Sequence, residues 1–349
     1  MSAEATDALR VGVIGLGLVS TPHLDGYEQA EGCELVAVCD VSQDKVDAVA
    51  EARGVPGTTD HMTILDDPEV DAVALLLPHQ LHHEVARAAL ERGKHVCIEK
   101  PITVTAAEAD DLIALAAERR LTLAVAENTR YVRAYVEAHR LVSSGQLGEI
   151  RMVRGFIADQ ILDEWADTSD ATQAWKREPH GCGAIMDCAP HMLYLLKWFW
   201  GDVETLYAIA QGWVPSIPLD NHGVVAGKLE AGPFFSMEFC SLTEYPRGER
   251  LEIFGSEGAL VVDQVLDPPA VLYRGADDVR GTPVAGVPYD IDGWKAESIR
   301  ATALDFVDAV REGREPSVTA ADSMYVVSLV ERAYESAARG GAALSGHAS

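Results

Sequence analysis

The feature that most constrains the fold is an apolar strand that runs directly into a glycine-rich turn and then into a helix. Residues 10–14 predict the strand, Gly15 and Gly17 lie in the turn, and residues 21–30 predict the helix. Gly15 permits a tight turn, Gly17 lets the backbone come close to a ligand, and the start of the helix attracts an anion. Ser20 replaces the third glycine of this pattern and is small enough to keep the helix near the strand. The stretch therefore predicts a βα unit that binds a pyrophosphate.

A second predicted strand, residues 34–40, ends in an acidic side chain. Asp40 follows Ser20 at about the 20-residue spacing expected of a carboxylate that binds ribose hydroxyls. No arginine follows at once to bind a 2′-phosphate, so the pattern favours NAD over NADP. An alternative role for Asp40 is to cap the helix predicted over residues 43–53, which Ser42 could also do.

The alternation of strand and helix continues through the first third of the chain. Further strands are predicted over residues 70–77, 95–99 and 121–126, and helices over 81–92, 106–120 and 132–144. Repeated βα units indicate a parallel sheet with right-handed crossovers. We therefore expect an α/β chain whose residues 1–127 form a doubly wound, NAD-binding Rossmann domain.

After Gly148 the pattern changes, because strands now follow one another with turn residues between them. Strands are predicted over residues 149–161, 203–213, 222–230, 233–242, 250–255 and 259–263, and helices over 184–200, 296–312 and 320–339. This order predicts an α+β domain over residues 128–349 with an open, mainly antiparallel sheet. The final helices could pack back on the first domain. Residues 263–292 are rich in Pro, Gly and Asp and predict an irregular connection.

Composition and charge limit the classes of partner. The chain has 349 residues, enough for two domains, and a net charge of −27 that opposes binding to nucleic acid or anionic membranes. Its apolar runs are too short for a transmembrane helix, and its acidic start does not match a secretory signal. None of the six cysteines forms a CxxC pair, which favours a reduced, cytoplasmic chain. Helices on one face of the second sheet would leave the other bare, so we expect a homodimer or homotetramer.

A local histidine cluster raises the question of a metal site. His79, His82 and His83 lie close together, but no cysteine or carboxylate spacing completes a ligand set. We therefore expect no metal, and interpret these histidines as solvated or as bordering the cofactor.

A short apolar strand, residues 95–99, ends at a charged pair and a proline. Proline keeps Lys100 in an extended conformation at the end of this strand. Ligands bind at the carboxyl ends of strands in open parallel sheets, so Lys100 is a candidate catalytic residue. The alternative is a surface lysine that pairs with Glu99.

A second candidate site lies at the start of the helix predicted over residues 184–200. Asp187 and His191 are four residues apart, so they share one face of this helix. A carboxylate beside an imidazole is suited to moving a proton near neutral pH. The alternative is an acid that favours the helix dipole and an ordinary core histidine.

Together these motifs resemble the Gfo/Idh/MocA oxidoreductases, the group of glucose–fructose oxidoreductase and inositol dehydrogenase. The resemblance covers nearly the whole chain and rests on the glycine turn with His23, residues 93–96 running into Glu99-Lys100-Pro101, residues 145–150, and Gly181-Cys182-Gly183 with Asp187 and His191. It implies that Lys100, Asp187 and His191 are the catalytic set. It also implies that the second domain carries the substrate site and the contact between subunits.

The motifs and the segments that should border the cleft indicate the ligand contacts. The expected cofactor contacts are Gly15, Gly17, Leu18, Val19, Asp40, Leu77, Pro78, His82, Glu99, Lys100 and Asn128. Besides the catalytic set, the expected substrate contacts are Arg130, Tyr131, Trp165, Trp175, Lys176 and Arg177. These side chains supply flat apolar faces and charged donors, as sugars require, although Trp165 and Trp175 could instead anchor a long loop.

The resemblance implies reversible hydride transfer between NAD and a secondary alcohol carbon of a sugar, cyclitol or glycoside. Leu77 departs from the threonine that family members often place before proline. Tyr194 replaces the aspartate with which inositol dehydrogenases often hold substrate, which argues against inositol itself. Two alternatives stay open. One is an enzyme that keeps NAD bound and oxidises its substrate transiently for elimination, epimerisation or glycoside cleavage, and the other is a non-catalytic NAD sensor.

Overall fold

The computed structural model describes residues 8–158, 175–176, 178, 183–214, 219–241, 248–290 and 293–347. These residues form two units. One runs up to Asn128 and includes Lys295–Met324, and the other comprises Thr129–Trp294 and the chain from Tyr325 onward. Trp165 and Arg177, both predicted substrate contacts, lie outside the described residues. The domain boundary after residue 127 stays a prediction from the sequence.

A six-stranded parallel sheet forms the centre of the first unit, in the order β3-β2-β1-β4-β5-β6. Its strands are β1 (Leu9–Ile14), β2 (Cys33–Cys39), β3 (Gly57–Thr58), β4 (Ala72–Leu75), β5 (His95–Glu99) and β6 (Leu123–Ala126). Every neighbouring pair is parallel. The strand order reverses direction between β1 and β4, which is where open α/β sheets bind ligands. The predicted doubly wound sheet is confirmed.

Helices connect these strands. They are α1 (Ser20–Gln29), α2 (Gln43–Arg53), α3 (His61–Leu65), α4 (His82–Glu91) and α5 (Ala106–Arg119). A capping box starts α5, because the Thr105 side chain accepts from the Glu108 amide and the Glu108 carboxylate accepts from the Thr105 amide. The sequence analysis missed β3 and α3, which are too short to show a periodicity.

The core of the first unit includes a helix from the end of the chain. Helix α8 (Trp294–Glu312) contributes Ala303, Phe306 and Val307, all fully buried, to the cluster that contains Leu24 and Tyr27 of α1. Burying a side chain the size of Phe306 stabilises a fold by roughly 1.5–3 kcal/mol. This packing explains why a helix so late in the sequence is part of the first unit.

A nine-stranded sheet forms the second unit, in the order β14-β13-β12-β11-β7-β10-β9-β8-β15. Its strands are β7 (Ile150–Ala158), β8 (Val203–Gln211), β9 (His222–Leu229), β10 (Phe234–Cys240), β11 (Gly248–Gly255), β12 (Ala259–Asp263), β13 (Ala270–Tyr273), β14 (Thr282–Pro283) and β15 (Leu344–Ser345). Only the β10–β7 pair among these strands is parallel. The predicted open, mainly antiparallel sheet is confirmed.

The connection predicted to be irregular, residues 263–292, is instead partly strand. β13 pairs with β12, and β14 pairs with β13, so this segment extends the sheet. Val271, Leu272 and Tyr273 favour an extended backbone, but the turn residues around them concealed this preference in the sequence.

The helices of the second unit are α6 (Arg133–Ser143), α7 (Ala189–Trp200) and α9 (Ala320–Ala338), whose first residues belong to the first unit. One face of the sheet is buried, with Met237, Leu251 and Ile253 fully inaccessible. The opposite face carries exposed apolar side chains, which include Met152, Ile209 and Phe234. None of the helices described is long and apolar enough to cross a membrane.

Candidate functional site

The turn after β1 can be formed only with glycine at its first position. Gly15 has φ of +104°, and an added Cβ there would overlap the carbonyl oxygen of Leu76. Its amide donates to the Cys39 carbonyl at 2.7 Å, which ties the turn to β2. An added Cβ at Gly17 would meet none of the described atoms within 4 Å, so this part of the backbone is open to a ligand.

The start of α1 offers main-chain N–H groups to an anion. Val19 occupies the N-cap position and has no side-chain acceptor, and the first turn contains no acidic residue. Ser20 is buried and its hydroxyl donates to the Gly17 carbonyl at 2.7 Å. The Ser20 hydroxyl therefore stabilises the turn at the position where the usual pattern has a third glycine. The Ser20 amide donates to the Gly17 carbonyl at 3.1 Å and Pro22 has no N–H, so the helix dipole and the remaining amides of the turn are what suit a pyrophosphate.

Asp40 links the glycine turn to the end of β2. Its Oδ2 accepts from the Leu16 amide at 2.8 Å, and its Oδ1 accepts from the Ser42 amide at 2.9 Å. Each carboxylate oxygen keeps a further acceptor site, so the side chain can also bind ribose hydroxyls. The sequence offered two roles for Asp40, capping α2 and binding the ribose. The two roles are compatible, because Asp40 contacts Ser42 at the cap of α2 and remains at the predicted ribose position. The turn, the start of α1 and Asp40 together fit NAD.

A chain of hydrogen bonds fixes the main chain at Lys100. The Lys100 amide donates to Glu99 Oε2 at 3.1 Å, and Glu99 Oε1 lies 2.8 Å from Nε2 of the fully buried His23. His23 Nδ1 has no hydrogen-bond partner among the described residues, which leaves Nε2 as the nitrogen that donates to Glu99. The Lys100–Pro101 peptide bond is cis. His23 thus orients the carboxylate that holds the predicted catalytic lysine.

His82, a predicted cofactor contact, lies between two main-chain carbonyl groups of the first unit. The side chain is fully buried, with Nδ1 2.8 Å from the Pro101 carbonyl oxygen and Nε2 2.8 Å from that of Leu77. Both ring nitrogens therefore face main-chain carbonyls of the protein. Because Leu77 follows β4 and Pro101 follows β5, His82 joins the ends of these two strands. Burial lowers the pKa of His82 and favours the neutral ring, which donates to only one of the two oxygens.

The other histidines of the predicted cluster also have protein partners. His83 Nε2 lies 2.8 Å from Asp111 Oδ2, and the rings of His79 and His82 meet edge to face. No group of three or more potential metal ligands occurs among the residues described. Asn128, a predicted cofactor contact, is buried and donates from Nδ2 to Ser298 Oγ at 2.8 Å.

In the second unit, the segment with Asp187 starts as a π-helical turn, Ala184–Cys188, that leads into α7. π-Helical turns are frequent at functional sites. Asp187 lies in this turn and its amide donates to the Gly183 carbonyl at 2.8 Å. His191 lies in the first turn of α7, and both side chains are half-buried. The sequence predicted the helix and the pair, but not the wider first turn.

Two residues that the sequence analysis missed hold this turn in place. Asp220 Oδ2 accepts from the Ile185 amide at 2.8 Å, and the Tyr334 hydroxyl donates to Asp220 Oδ1 at 2.8 Å. The same hydroxyl accepts from the Met186 amide at 3.1 Å. An added Cβ at Gly183 would overlap both Asp220 Oδ1 and the Tyr334 hydroxyl, so this site requires glycine.

Burial determines the protonation of this pair. It raises the pKa of Asp220 above the usual carboxyl range. Burial, with the neighbouring Asp220 carboxylate, raises the pKa of Tyr334 far above its ordinary value, so the hydroxyl keeps its proton and remains a donor. No short motif joins the two residues, because they are 114 positions apart.

Arg130, a predicted substrate contact, lies over an aromatic ring. Its guanidinium carbon is 4.1 Å from the ring centre of Trp198, and the His139 ring stacks on Trp198 at 4.5 Å. This stack restrains the guanidinium. Trp175 and Lys176 are half-buried, so both remain candidate substrate contacts. Tyr194 is almost fully buried and supplies no carboxylate in place of the missing aspartate.

Comparison with known proteins agrees with this geometry. A family model described as "Oxidoreductase family, NAD-binding Rossmann fold" matches residues 9–127, and the GFO/IDH/MocA C-terminal domain matches residues 135–261. The fold and the nucleotide site define an NAD-binding oxidoreductase. The chain belongs to the Gfo/Idh/MocA oxidoreductase family, as its sequence indicated.

Similar proteins include several that act on sugars. Levoglucosan dehydrogenase from Pseudarthrobacter phenanthrenivorans is 26% identical, over 95% of this chain and 96% of that protein. The dTDP-3,4-didehydro-2,6-dideoxy-alpha-D-glucose 3-reductase of Streptomyces violaceoruber is 31% identical, over 76% of each chain. A solved levoglucosan dehydrogenase in complex with NADH and levoglucosan has a TM-score of 0.83 at 22% identity, covering 97% of this chain and 99% of that chain. That structural likeness supports the fold.

Proposed function

We propose that this chain is an NAD-dependent dehydrogenase or reductase that acts on a secondary alcohol or ketone carbon of a sugar, cyclitol or glycoside. The observation that carries the proposal is the position of Lys100 at the carboxyl end of β5, held through Glu99 by the buried His23. Relatives that are named as sugar and inositol dehydrogenases support the substrate class.

Lys100 acts on the reacting oxygen. NAD supplies the site that accepts or gives the hydride when it is bound. The Lys100 ammonium donates a hydrogen bond to the substrate oxygen and stabilises the negative charge that develops there. Loss of one such donor typically costs roughly 3–4 kcal/mol in the transition state.

His191 and Asp187 manage the proton. His191 takes the hydroxyl proton as general base in the direction of oxidation and returns it in reduction. Asp187 orients the substrate. General acid–base help of this kind contributes roughly 10²–10⁴ in rate. The hydrogen bonds of Asp220 and Tyr334 fix the turn that carries Asp187.

Substrate recognition involves side chains of the second unit. Arg130, restrained over Trp198, donates to sugar hydroxyls, together with Tyr131 and Lys176. Trp175 offers a flat face to the sugar ring, and Trp165 is assigned the same role from its sequence alone. A carbohydrate without the full hydroxyl set of inositol suits a site in which Tyr194 replaces an aspartate.

The test of this function is the rise of nicotinamide absorbance with purified protein, NAD and a panel of substrates. The panel contains levoglucosan, inositols, hexoses, sugar phosphates and glycosides. A rise with one class, proportional to substrate consumed, supports the dehydrogenase. If no substrate gives a rise while denaturation releases an NAD-like cofactor, the alternative of internal recycling is favoured. Absence of both rise and cofactor binding contradicts the proposal.

We also propose that the chain forms a homodimer or homotetramer in the cytoplasm. The exposed face of the second sheet supports this, because Phe234 is 62% and Ile209 is 64% exposed. The five cysteines that lie among the described residues are all free, which agrees with a reducing compartment. Phe234→Glu with Ile209→Glu should reduce the sedimentation coefficient to that of a monomer. Val279→Glu, at an exposed position outside the sheet, should leave the assembly intact, and a monomeric wild type would contradict the proposal.

A further inference from the structure

A cysteine, a histidine and an asparagine, none of which is a proposed catalytic residue, form a connected cluster in the second unit. Cys240 of β10 lies directly opposite His222 of β9 in the antiparallel register. Cys240 Sγ is 2.9 Å from His222 Nε2, and His222 Nδ1 is 3.3 Å from Asn221 Oδ1. The thiol and the imidazole are half-buried, while Asn221 is fully buried.

The hydrogen bonds of Asn221 determine where the imidazole proton lies. Asn221 Oδ1 accepts from the Trp213 amide at 2.9 Å, which identifies this atom as the oxygen of the side-chain amide. An oxygen can only accept, so His222 Nδ1 carries the proton that faces it. Nε2 is then the basic nitrogen, and it faces the thiol of Cys240. Burial lowers the pKa of His222, which keeps the ring in this neutral, proton-accepting form.

Two further polar groups beside this cluster are buried without a partner. Asn221 Nδ2 and Ser241 Oγ have no hydrogen-bond partner among the described residues. Asn221 directly precedes His222 in the sequence, and Ser241 directly follows Cys240. The Ser241 amide donates to the Asn221 carbonyl at 2.9 Å. Buried polar groups are normally satisfied, so these two add unused hydrogen-bonding capacity next to the thiol.

Three other cysteines among the described residues lie in environments that suppress reactivity. Burial raises the pKa of Cys33 to about 12, that of Cys39 to about 11 and that of Cys97 to about 12. These thiols stay protonated at neutral pH and are poor nucleophiles. Cys240 differs from these three because its sulfur contacts a neutral histidine.

We propose that Cys240 is a modification site, oxidised by hydrogen peroxide with His222 as its base. The sulfur attacks one peroxide oxygen while the O–O bond breaks, and His222 Nε2 takes the thiol proton. The imidazolium then gives this proton to the leaving hydroxide, which departs as water. Sulfur loses two electrons and becomes the sulfenic acid, and the peroxide is reduced by the same two electrons. The reversible first step of cysteine oxidation has this chemistry.

This inference does not depend on the proposed dehydrogenase activity. Neither Cys240 nor His222 belongs to the proposed catalytic or cofactor residues, so the test needs no substrate. The full-length protein is treated with hydrogen peroxide in the presence of dimedone, which traps sulfenic acids. Mass spectrometry of the peptides then gives a separate trapping rate for each cysteine.

Trapping at Cys240 should proceed at least about tenfold faster than at Cys33 or Cys39, because only Cys240 has an adjacent base. His222→Gln keeps a polar side chain without the base and should slow trapping at Cys240 by about tenfold or more, with no change at Cys33. Asn221→Ala removes the oxygen that fixes the tautomer of the His222 ring. This variant should slow trapping at Cys240 less than His222→Gln does. Equal rates for Cys240 and Cys33 in the wild-type protein would overturn the proposal without reference to any variant. An unchanged rate in folded His222→Gln would overturn the role of the base.

Discussion

The Tyr334 hydroxyl donates a 2.8 Å hydrogen bond to Oδ1 of Asp220. The two side chains also bind the amides of Met186 and Ile185, the residues that precede Asp187 in the π-helical turn. A pair distant in sequence therefore determines the backbone from which a proposed catalytic carboxylate projects.

Tyr334→Phe should impair catalysis more than it impairs folding. The substitution removes the donor to Asp220 and the acceptor for Met186, so the free energy of unfolding should fall by about 1–3 kcal/mol. Because the turn with Asp187 loses its restraint, kcat should fall about tenfold or more while the affinity for NAD stays unchanged. Urea unfolding, steady-state kinetics and cofactor titration measure the three quantities.

Tyr325→Phe is the matched control on the same helix, α9. The Tyr325 hydroxyl accepts from the Val203 amide at 2.7 Å and does not bind the π-helical turn. Its loss should lower the unfolding free energy by a similar amount and leave kcat nearly unchanged. An equal fall of kcat in both variants would show that general destabilisation, rather than the position of Asp187, is responsible.

Asp220→Asn should have a pH-dependent effect on stability. Burial raises the pKa of Asp220 in the folded chain above the ordinary value of an aspartate, so the folded state binds a proton more tightly than the unfolded state does. The contribution of this carboxyl is complete below its unfolded pKa and is lost as pH rises through the folded pKa. The difference in unfolding free energy between wild type and Asp220→Asn should therefore be largest in acid and shrink toward neutral pH. Urea unfolding from acid to neutral pH checks this, and a difference that grows with pH would contradict it.

Cofactor preference should follow Asp40 and its neighbour. Asp40→Ser removes the carboxylate that repels a 2′-phosphate, and Val41→Arg, at an exposed position, adds a guanidinium to bind it. The double variant should shift the ratio of kcat/KM for NADP to that for NAD by about a hundredfold or more toward NADP. Val41→Arg alone should shift it less. Since Asp40 also accepts from the Leu16 amide, the double variant should be less stable by about 1–2 kcal/mol. An unchanged ratio of kcat/KM for the two cofactors would show that the ribose does not bind at Asp40.

The sequence predicted the features that depend on neighbouring residues. Gly15, Ser20 and Asp40 act within a single βα unit and the strand that follows, so their spacing alone indicated a nucleotide site. The residues alone also made Lys100, Asp187 and His191 candidates beside structural alternatives, and the family resemblance assigned them catalytic roles.

The rest depends on contacts between distant segments. The position of His82 in the chain does not reveal that the Leu77 and Pro101 carbonyls enclose its ring. Asp220 and Tyr334 share no sequence motif. The strand β13 could not be predicted from its own residues, because it is defined by its pairing with β12. In each case the missing information was which partner the fold supplies.

His82→Phe should separate the ends of β4 and β5. Phenylalanine fills a similar volume but cannot replace the one hydrogen bond that the neutral ring donates to the Leu77 or Pro101 carbonyl, so the unfolding free energy should fall by about 1–3 kcal/mol. The main chain next to Lys100 loses a restraint, so kcat should fall as well. His83→Phe is the control on the same helix, since it removes only a partly exposed contact to Asp111 and should cost about 0–1 kcal/mol. A smaller loss of stability in His82→Phe than in His83→Phe would refute the bridging role.

Lys100→Met and His191→Asn should each abolish most of the activity and leave the cofactor site intact. Lys100→Met removes the donor to the reacting oxygen, and His191→Asn removes the base, so kcat should fall at least about a hundredfold in each. The affinity for NAD, measured by titration, should change little, because the glycine turn and Asp40 are untouched. Lys228→Met and His347→Asn make the same chemical changes at surface positions that pair with Glu204 and Glu230, and both should keep wild-type turnover. Stopped-flow measurement of hydride transfer decides the roles, since an unchanged rate in either Lys100→Met or His191→Asn would exclude that residue from the chemical step.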